Sequence, residues 1–336
     1  MKRIAILGAG FIAGVHLEAW KRIEGAQVVA FFETQPERAQ DFQEKQGIPH
    51  YDSFSRLLEE KEVEIVDICL PTFLHREYAE IAAQAKKHLF CEKPIATTLE
   101  DAQAIKEICS KNGVKLMIGH VLRFWNEYVK AREIVKEGTL GEILSLSAHR
   151  LSVAPTWSQN HWILNPNLSG GASVDLHIHD LDFANWLLGK PQKIFASGNR
   201  SNKGAIDHIV SNLSYGPNTF SQIEGGWMMK GDFPFSCGFR ILGTKGVLEW
   251  DFRAGVNIEQ RGKGAPLVLY QEDKTKEELY LPGEDPYYQE LKYFFNCLEE
   301  GRKIESATAD QAILALKVAL KAQQSIKEEK VLELDS

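Results

Sequence analysis

The chain has 336 residues, enough for about two domains at ~150 residues each. Hydrophobic residues make up 44% and charged residues 25%, a balance that excludes a disordered, collagen-like or low-complexity polypeptide. The net charge of −7 comes with no basic block, which argues against a nucleic-acid surface, and no apolar run approaches the ~18 residues of a membrane span.

The five cysteines are an odd number and form no C-x-x-C pair. Neither a disulfide framework nor a zinc site is indicated, and a reducing cytoplasm is the expected home. Met1-Lys2-Arg3 and the apolar stretch to Val15 resemble a short secretory signal, but three glycines interrupt it and no cleavage site bounds it.

Ile4-Ala5-Ile6-Leu7 reads as a buried strand that stops at Gly8. Gly8-Ala9-Gly10-Phe11-Ile12-Ala13 then fits G-x-G-x-x-[GA], and Ile12, Val15, His16 and Ala19 continue at helical spacing. Strand, glycine turn and helix are the context of the dinucleotide fingerprint. Gly8 allows the tight turn, Gly10 admits a pyrophosphate, and Ala13 keeps helix and strand close. A second strand, Gln27–Phe32, ends at Glu33, 25 residues after Gly8, near the ~20 expected of a ribose-binding acid. Glu33 would repel a 2′-phosphate, and Thr34 beside it is no cation, so NAD is favoured over NADP.

Ile65–Leu70 reads as a third buried strand broken at Pro71. A helix from about His75 to Lys87 follows, then a strand at Leu89–Cys91, a helix capped by Thr97 or Thr98 that stops near Asn112-Gly113, and a strand at Val114–Ile118. This alternation predicts a doubly wound parallel sheet. Lys93 would stand at the carboxyl end of its strand, where ligands bind such sheets. Beyond residue 193 the pattern changes to short β-rich segments as far as about 281: Lys193–Arg200, Ile206–Tyr215, Phe220–Trp227, Phe239–Leu242 and Val247–Asp251. Two helices, Asp285–Glu300 and Ala309–Glu329, close the chain.

The stretch after Gly170-Gly171 reads as a helix that carries Asp175 and His179 on one face, four residues apart. Such a carboxylate–imidazole pair can take or return a proton at neutral pH. His177 points elsewhere and reads as packing or capping. His120, His161, His177, Asp175 and His179 make ligands on paper, but no H-x-x-x-H or H-E-x-x-H occurs and no metal is expected. Phe124-Trp125-Tyr128 reads as core.

Gly8-Ala9-Gly10, Cys91-Glu92-Lys93-Pro94 and Gly170-Gly171-Ala172-Ser173-Val174-Asp175-Leu176-His177-Ile178-His179-Asp180 occur in the order of one family. The chain resembles the Gfo/Idh/MocA oxidoreductases, the glucose–fructose oxidoreductase and inositol dehydrogenase group, over nearly its whole length. Leu70-Pro71-Thr72 with His75, and Gly119-His120-x-x-Arg123-Phe124, extend the match.

The resemblance implies an N-terminal NAD-binding Rossmann domain over 1–121 and a C-terminal substrate domain over 122–336 with a large open, mainly antiparallel sheet, the last helices packing back on the first domain. It implies dimerisation or tetramerisation through that sheet. By the same likeness Lys93, Asp175 and His179 are catalytic. The cofactor would meet Gly8, Gly10, Phe11, Ile12, Ala13, Glu33, Thr34, Leu70, Pro71, Thr72, His75, Glu92 and Lys93, with His75 beside the nicotinamide or its ribose. A polyol substrate would meet Lys93, His120, Arg123, Trp162, Asn165, Asp175 and His179. Trp162-Ile163-Leu164-Asn165-Pro166 replaces the family's W-x-x-D-P, so Asn165 lacks the usual charge.

The expected activity is hydride transfer between NAD and a secondary alcohol of a sugar, cyclitol or related polyol. An NAD-assisted hydrolase and a non-catalytic dinucleotide or sugar sensor are the alternatives on this fold.

Overall fold

Ile4, Ala5, Ile6 and Leu7 have no solvent exposure, as a strand covered on both faces of a parallel sheet requires. They form β1 (Lys2–Leu7) of a computed structural model that describes residues 1–156, 158–254, 266–281 and 283–334. Part of the strand-rich run expected up to 281, residues 255–265, lies outside the described residues. The contacts divide the chain into two units, Met1–Phe124 with Glu284–Ile313, and Trp125–Gly283 with Leu314 onward.

In the first unit β1 is followed by α1 (Phe11–Lys21), β2 (Ala26–Phe32), α2 (Pro36–Gln46), β3 (His50–Tyr51) and α3 (Phe54–Glu60). Then come β4 (Ile65–Ile68), α4 (His75–Gln84), β5 (His88–Glu92), α5 (Leu99–Asn112) and β6 (Leu116–Gly119). The six strands pair in parallel in the order β3-β2-β1-β4-β5-β6, so the direction of winding reverses between β1 and β4. Ligand crevices of doubly wound sheets lie outside the strand ends at such a reversal.

Local signals set several boundaries. Thr98 caps α5, accepting from the Asp101 N–H at 3.1 Å, and Gly113 closes it at φ 69°. Ala13, His16, Leu17 and Trp20 are buried at the three–four spacing of a core-facing helix stripe. Hydrophobic periodicity in the sequence does not reveal α2, β3 and α3. Only Ala39 and Phe42 of α2 are buried, too narrow a stripe for periodicity to find.

The second unit begins with α6 (Asn126–Lys136) and β7 (Ile143–Val153), followed by the short helices α7 (Pro166–Ser169) and α8 (Ala172–Asp175) and then α9 (Ile178–Leu188). Next are β8 (Lys193–Arg200), β9 (Ile206–Ser214), β10 (Phe220–Met229), β11 (Ser236–Gly243), β12 (Gly246–Arg253), β13 (Leu267–Gln271) and β14 (Lys276–Leu279).

The chain ends with α10 (Pro286–Glu299), α11 (Ala309–Glu328) and β15 (Leu332–Glu333). Among the described residues the second sheet has nine strands, ordered β14-β13-β12-β11-β7-β10-β9-β8-β15. Only β7 and β10 pair in parallel there, giving the mainly antiparallel sheet expected.

Within the first unit α10 packs on α1, and Leu291, Phe294 and Phe295 share one core with Leu17 and Trp20. Within the second, α8 and α9 cover one face of the sheet at β7, β9 and β10. Tyr128 is buried against Phe183, Phe239 and Trp250, the core role expected of it, whereas Phe124 and Trp125 are half-buried.

Candidate functional site

The first unit gathers its candidate residues at the carboxyl ends of the strands. Gly8 leaves β1 at φ 105°, a conformation that L side chains rarely adopt, and a Cβ there would come within 2.8 Å of the Cys69 carbonyl oxygen. Gly10 is the N-cap of α1, which has no capping side chain and no acidic residue in its first turn. Phe11 and Ile12 are half-buried in that turn, and Ala13 is buried. A helix terminus with glycine as its cap, no carboxylate and close backbone approach fits a pyrophosphate.

Glu33 follows β2 and is 5% exposed. Its carboxylate accepts from the Gln35 N–H at 3.0 Å and pairs with the Arg38 guanidinium at 3.2 Å. Thr34 beside it is exposed. Arg38 supplies the cation that is absent from the positions next to Glu33 in the chain. The first turn of α2 brings one back, and a Cβ on Gly10 would lie 3.2 Å from its Nη2.

Leu70, Pro71 and Thr72 follow β4, and Glu92 and Lys93 end and follow β5. His75 opens α4 and is 1% exposed. Its Nδ1 lies 3.0 Å from the Pro94 carbonyl oxygen and its Nε2 2.9 Å from that of Leu70. The ring therefore ties the turn after β4 to the turn after β5. Burial lowers its pKa against the pull of these carbonyls. Lys93 is half-buried, precedes a cis peptide bond to Pro94, and donates its backbone N–H to Glu92 Oε2 at 3.2 Å. His120 and Arg123 follow β6 and are 0% and 4% exposed.

Behind these turns lies a buried polar group that the sequence reading missed. His16 Nδ1 is 3.0 Å from Asp67 Oδ2, and its Nε2 is 3.2 Å from Glu92 Oε1. The Trp20 indole donates to Asp67 at 2.7 Å, and the Cys69 thiol lies 3.3 Å from His16 Nδ1. Ligand-type atoms of His16, Asp67 and Cys69, and of His16, Glu92 and Glu290, fall within 4.8 Å of one another. These groups share no member with the ligands considered from sequence. The available signal was a histidine on the buried stripe of α1 and an aspartate inside the apolar Ile65–Ile68 run.

In the second unit Trp162 is half-buried in the turn Gln159–Leu164 and packs on Ile163, Ala172 and Trp227. Asn165 is exposed and caps α7, its side chain accepting from the Asn167 N–H at 3.1 Å.

Asp175 and His179, both half-buried, do not share one continuous helix. Asp175 ends α8 and His179 lies in the first turn of α9. Between them the His177 N–H reaches back five residues to the Ala172 carbonyl, and that wide turn breaks the register on which the one-face expectation rested. His177 is buried and faces the Ser211 hydroxyl at 2.9 Å, the packing role expected of it. Burial, with His208 adding to it, pushes its pKa down to about 3.

The myo-inositol 2-dehydrogenase of Thermotoga maritima is 28% identical over 99% of this chain and 98% of its own. The 2,7-anhydro-N-acetylneuraminate hydratase of Escherichia coli is 31% identical over 83% of this chain and 75% of its own. The crystal structure of aldose-aldose oxidoreductase from Caulobacter crescentus complexed with glycerol superposes with a TM-score of 0.86 at 26% identity, covering 99% of each chain. Residues 2–120 match the oxidoreductase family with the NAD-binding Rossmann fold, and residues 128–249 match the GFO/IDH/MocA C-terminal domain. The chain belongs to the Gfo/Idh/MocA family of oxidoreductases.

Proposed function

We propose that the protein is an NAD-dependent dehydrogenase of a sugar, cyclitol or related polyol, acting at a secondary alcohol. The observation that carries this reading is Lys93 on the turn directly after β5, at the same strand ends as the Gly8–Gly10 turn and Glu33. NAD supplies the hydride acceptor at its nicotinamide ring. The first amides of α1 hold its pyrophosphate, and Glu33 accepts hydrogen bonds from the adenosine ribose. Lys93 donates to the substrate oxygen, His179 takes the hydroxyl proton, and Asp175 orients His179. His120 and Arg123 bind further hydroxyls.

The face of the second sheet turned away from α9 bears His149, His208, Glu224, Arg240, Glu249 and Asp251, joined in pairs by ion contacts such as Arg240–Glu249 at 3.2 Å. Self-association through that face to a dimer or tetramer is part of the proposal, and light scattering checks it. A cytoplasmic location is supported by the five free, buried cysteines. No helix among the described residues is long and apolar enough to cross a membrane.

The hydratase name of the Escherichia coli relative favours a second reading, in which the substrate is oxidised and re-reduced around an addition or elimination of water. NADH absorbance against a panel of polyols and anhydro-sugars separates the two. Stoichiometric NADH supports the dehydrogenase. Product without net NADH supports the second reading, and cofactor binding without any turnover overturns both.

A further inference from the structure

We propose that His16, clamped between Asp67 and Glu92, is a positioning residue that holds the Lys93 turn in its working geometry. The inference rests on Lys93 acting in the reaction.

The clamp joins three elements at one point. His16 comes from α1, Asp67 from β4 and Glu92 from the last position of β5. The side chains of His16 and Asp67 have no exposure, and that of Glu92 has 10%. Glu92 then passes the contact on. One carboxylate oxygen meets His16 Nε2 at 3.2 Å, and the other accepts the Lys93 backbone N–H at 3.2 Å. The neighbouring backbone is shaped around this carboxylate, because a Cβ on Gly119 would lie 2.5 Å from Glu92 Oε1.

Both imidazole nitrogens face a carboxylate. The Nδ1 approach to Asp67 is a hydrogen bond, whereas the Nε2 approach to Glu92 is an ion contact without hydrogen-bond alignment, so an imidazolium is attracted to both carboxylates and a neutral ring is held by Asp67 alone. Burial opposes that charge, yet the Asp67 carboxylate, by field and by hydrogen bond, raises the pKa above the ordinary imidazole value.

The remaining groups around the ring are consistent with this charge count. Burial pushes the Cys69 thiol up, so it stays protonated. Tyr287 and the edge of Phe90 lie against the ring at centroid distances of 5.9 and 5.5 Å. From α10, Glu290 faces His16 and Glu92 with no exposure and no hydrogen-bond partner for either oxygen. Burial and the Glu92 charge push its pKa well above the ordinary carboxylate value. Loss of the His16 proton removes the charge that attracts the Glu92 carboxylate. The Lys93 N–H then loses a fixed acceptor.

The test is His16→Gln and Glu92→Gln in the full-length protein, assayed with whichever substrate the panel finds. A displaced catalytic group costs up to ~10²-fold. The expected result is a 10- to 100-fold fall in kcat on that scale, while in His16→Gln the Kd for NAD from tryptophan quenching changes less than about threefold. The part of any alkaline fall in kcat that comes from deprotonation of His16 should be absent from His16→Gln, leaving the part set by Lys93. Wild-type kcat with an intact alkaline limb in a folded His16→Gln overturns the proposal.

Should the variants fail to fold, ¹⁵N-histidine spectra of the wild type decide. An imidazolium signature for His16 persisting above pH 7.5 supports the clamp, and a neutral ring at pH 7 overturns it. Lys93→Ala separates the two levels. Wild-type turnover in that variant sinks the catalytic reading itself, whereas an inactive Lys93→Ala beside fully active His16→Gln and Glu92→Gln sinks only the clamp.

Discussion

The Glu33 carboxylate and the Arg38 guanidinium lie 3.2 Å apart beyond the carboxyl end of β2, one side chain from the strand end and the other from the first turn of α2. The pair holds both the acid that suits a ribose diol and the cation that suits a 2′-phosphate. The acid decides while it is present, because it neutralises the guanidinium and repels a phosphate. Glu33→Ser is expected to weaken NAD and to free Arg38 for NADP. A hydrogen bond to a charged group is worth about 1.5–3 kcal/mol, so the ratio of kcat/KM values should move toward NADP by ~10²-fold. Steady-state kinetics with both cofactors check this, and an unchanged ratio would remove the pair from cofactor choice.

Lys93→Ala is expected to lower kcat by about 10²-fold or more, the scale of acid–base assistance. NAD binding should hold within a few-fold, because the glycine turn and Glu33 carry it. Single-turnover absorbance at saturating cofactor, beside a fluorescence titration of NADH, measures both quantities.

The residues with local signatures were legible in the chain. Gly8 and Gly10 announced their turn by spacing, Thr98 and Gly113 marked the ends of α5, and the apolar runs of β1, β4 and β5 stood out because both faces of a parallel sheet are covered. What stayed hidden depends on distant partners. His16 and Asp67 read as irregularities in a helix and a strand until folding places them 51 positions apart in the chain but 3.0 Å apart in space. Arg38 lies one helical turn too late in the sequence for an adjacency rule to find. β7 was missed because a central strand carrying Ser147, His149 and Arg150 does not look like one, although Arg150 is buried against Asp180. The break between α8 and α9 escaped because no Gly or Pro interrupts Ala172–Leu181, and only the five-residue reach of the His177 N–H reveals it.

That Arg150–Asp180 pair makes a stability prediction. The guanidinium donates to both carboxylate oxygens, at 2.8 and 3.0 Å, and to the Tyr128 hydroxyl at 3.1 Å, with Asp180 fully buried. Arg150→Met strands a buried carboxyl group and should cost about 3–5 kcal/mol. The double variant Arg150→Met/Asp180→Leu should recover most of that loss. Urea unfolding of the three proteins tests it, and a double variant no better than the single would show that the ion pair itself holds β7 to α9.

His177 sets a pH dependence of opposite sign to that of His16. Its folded pKa of about 3 lies below the ordinary 6.5, so between those values the unfolded chain binds a proton that the folded chain refuses. Stability therefore falls as the pH drops from 6.5 toward 3, by an amount on the order of a few kcal/mol. For His16, whose folded pKa is raised, the contribution is fully present below 6.5 and is lost as the pH rises through the folded value. His177→Gln keeps a polar group facing Ser211 and cannot be protonated. It should cost stability at pH 7.5, with a penalty that shrinks steadily at pH 6, 5 and 4. Apparent urea midpoints of wild type and variant at those four values measure the difference, which cancels the titration of the surface carboxylates common to both. Two curves that stay parallel would mean that His177 takes up its proton while still folded, which its closed position against Gly225 and Ser211 opposes.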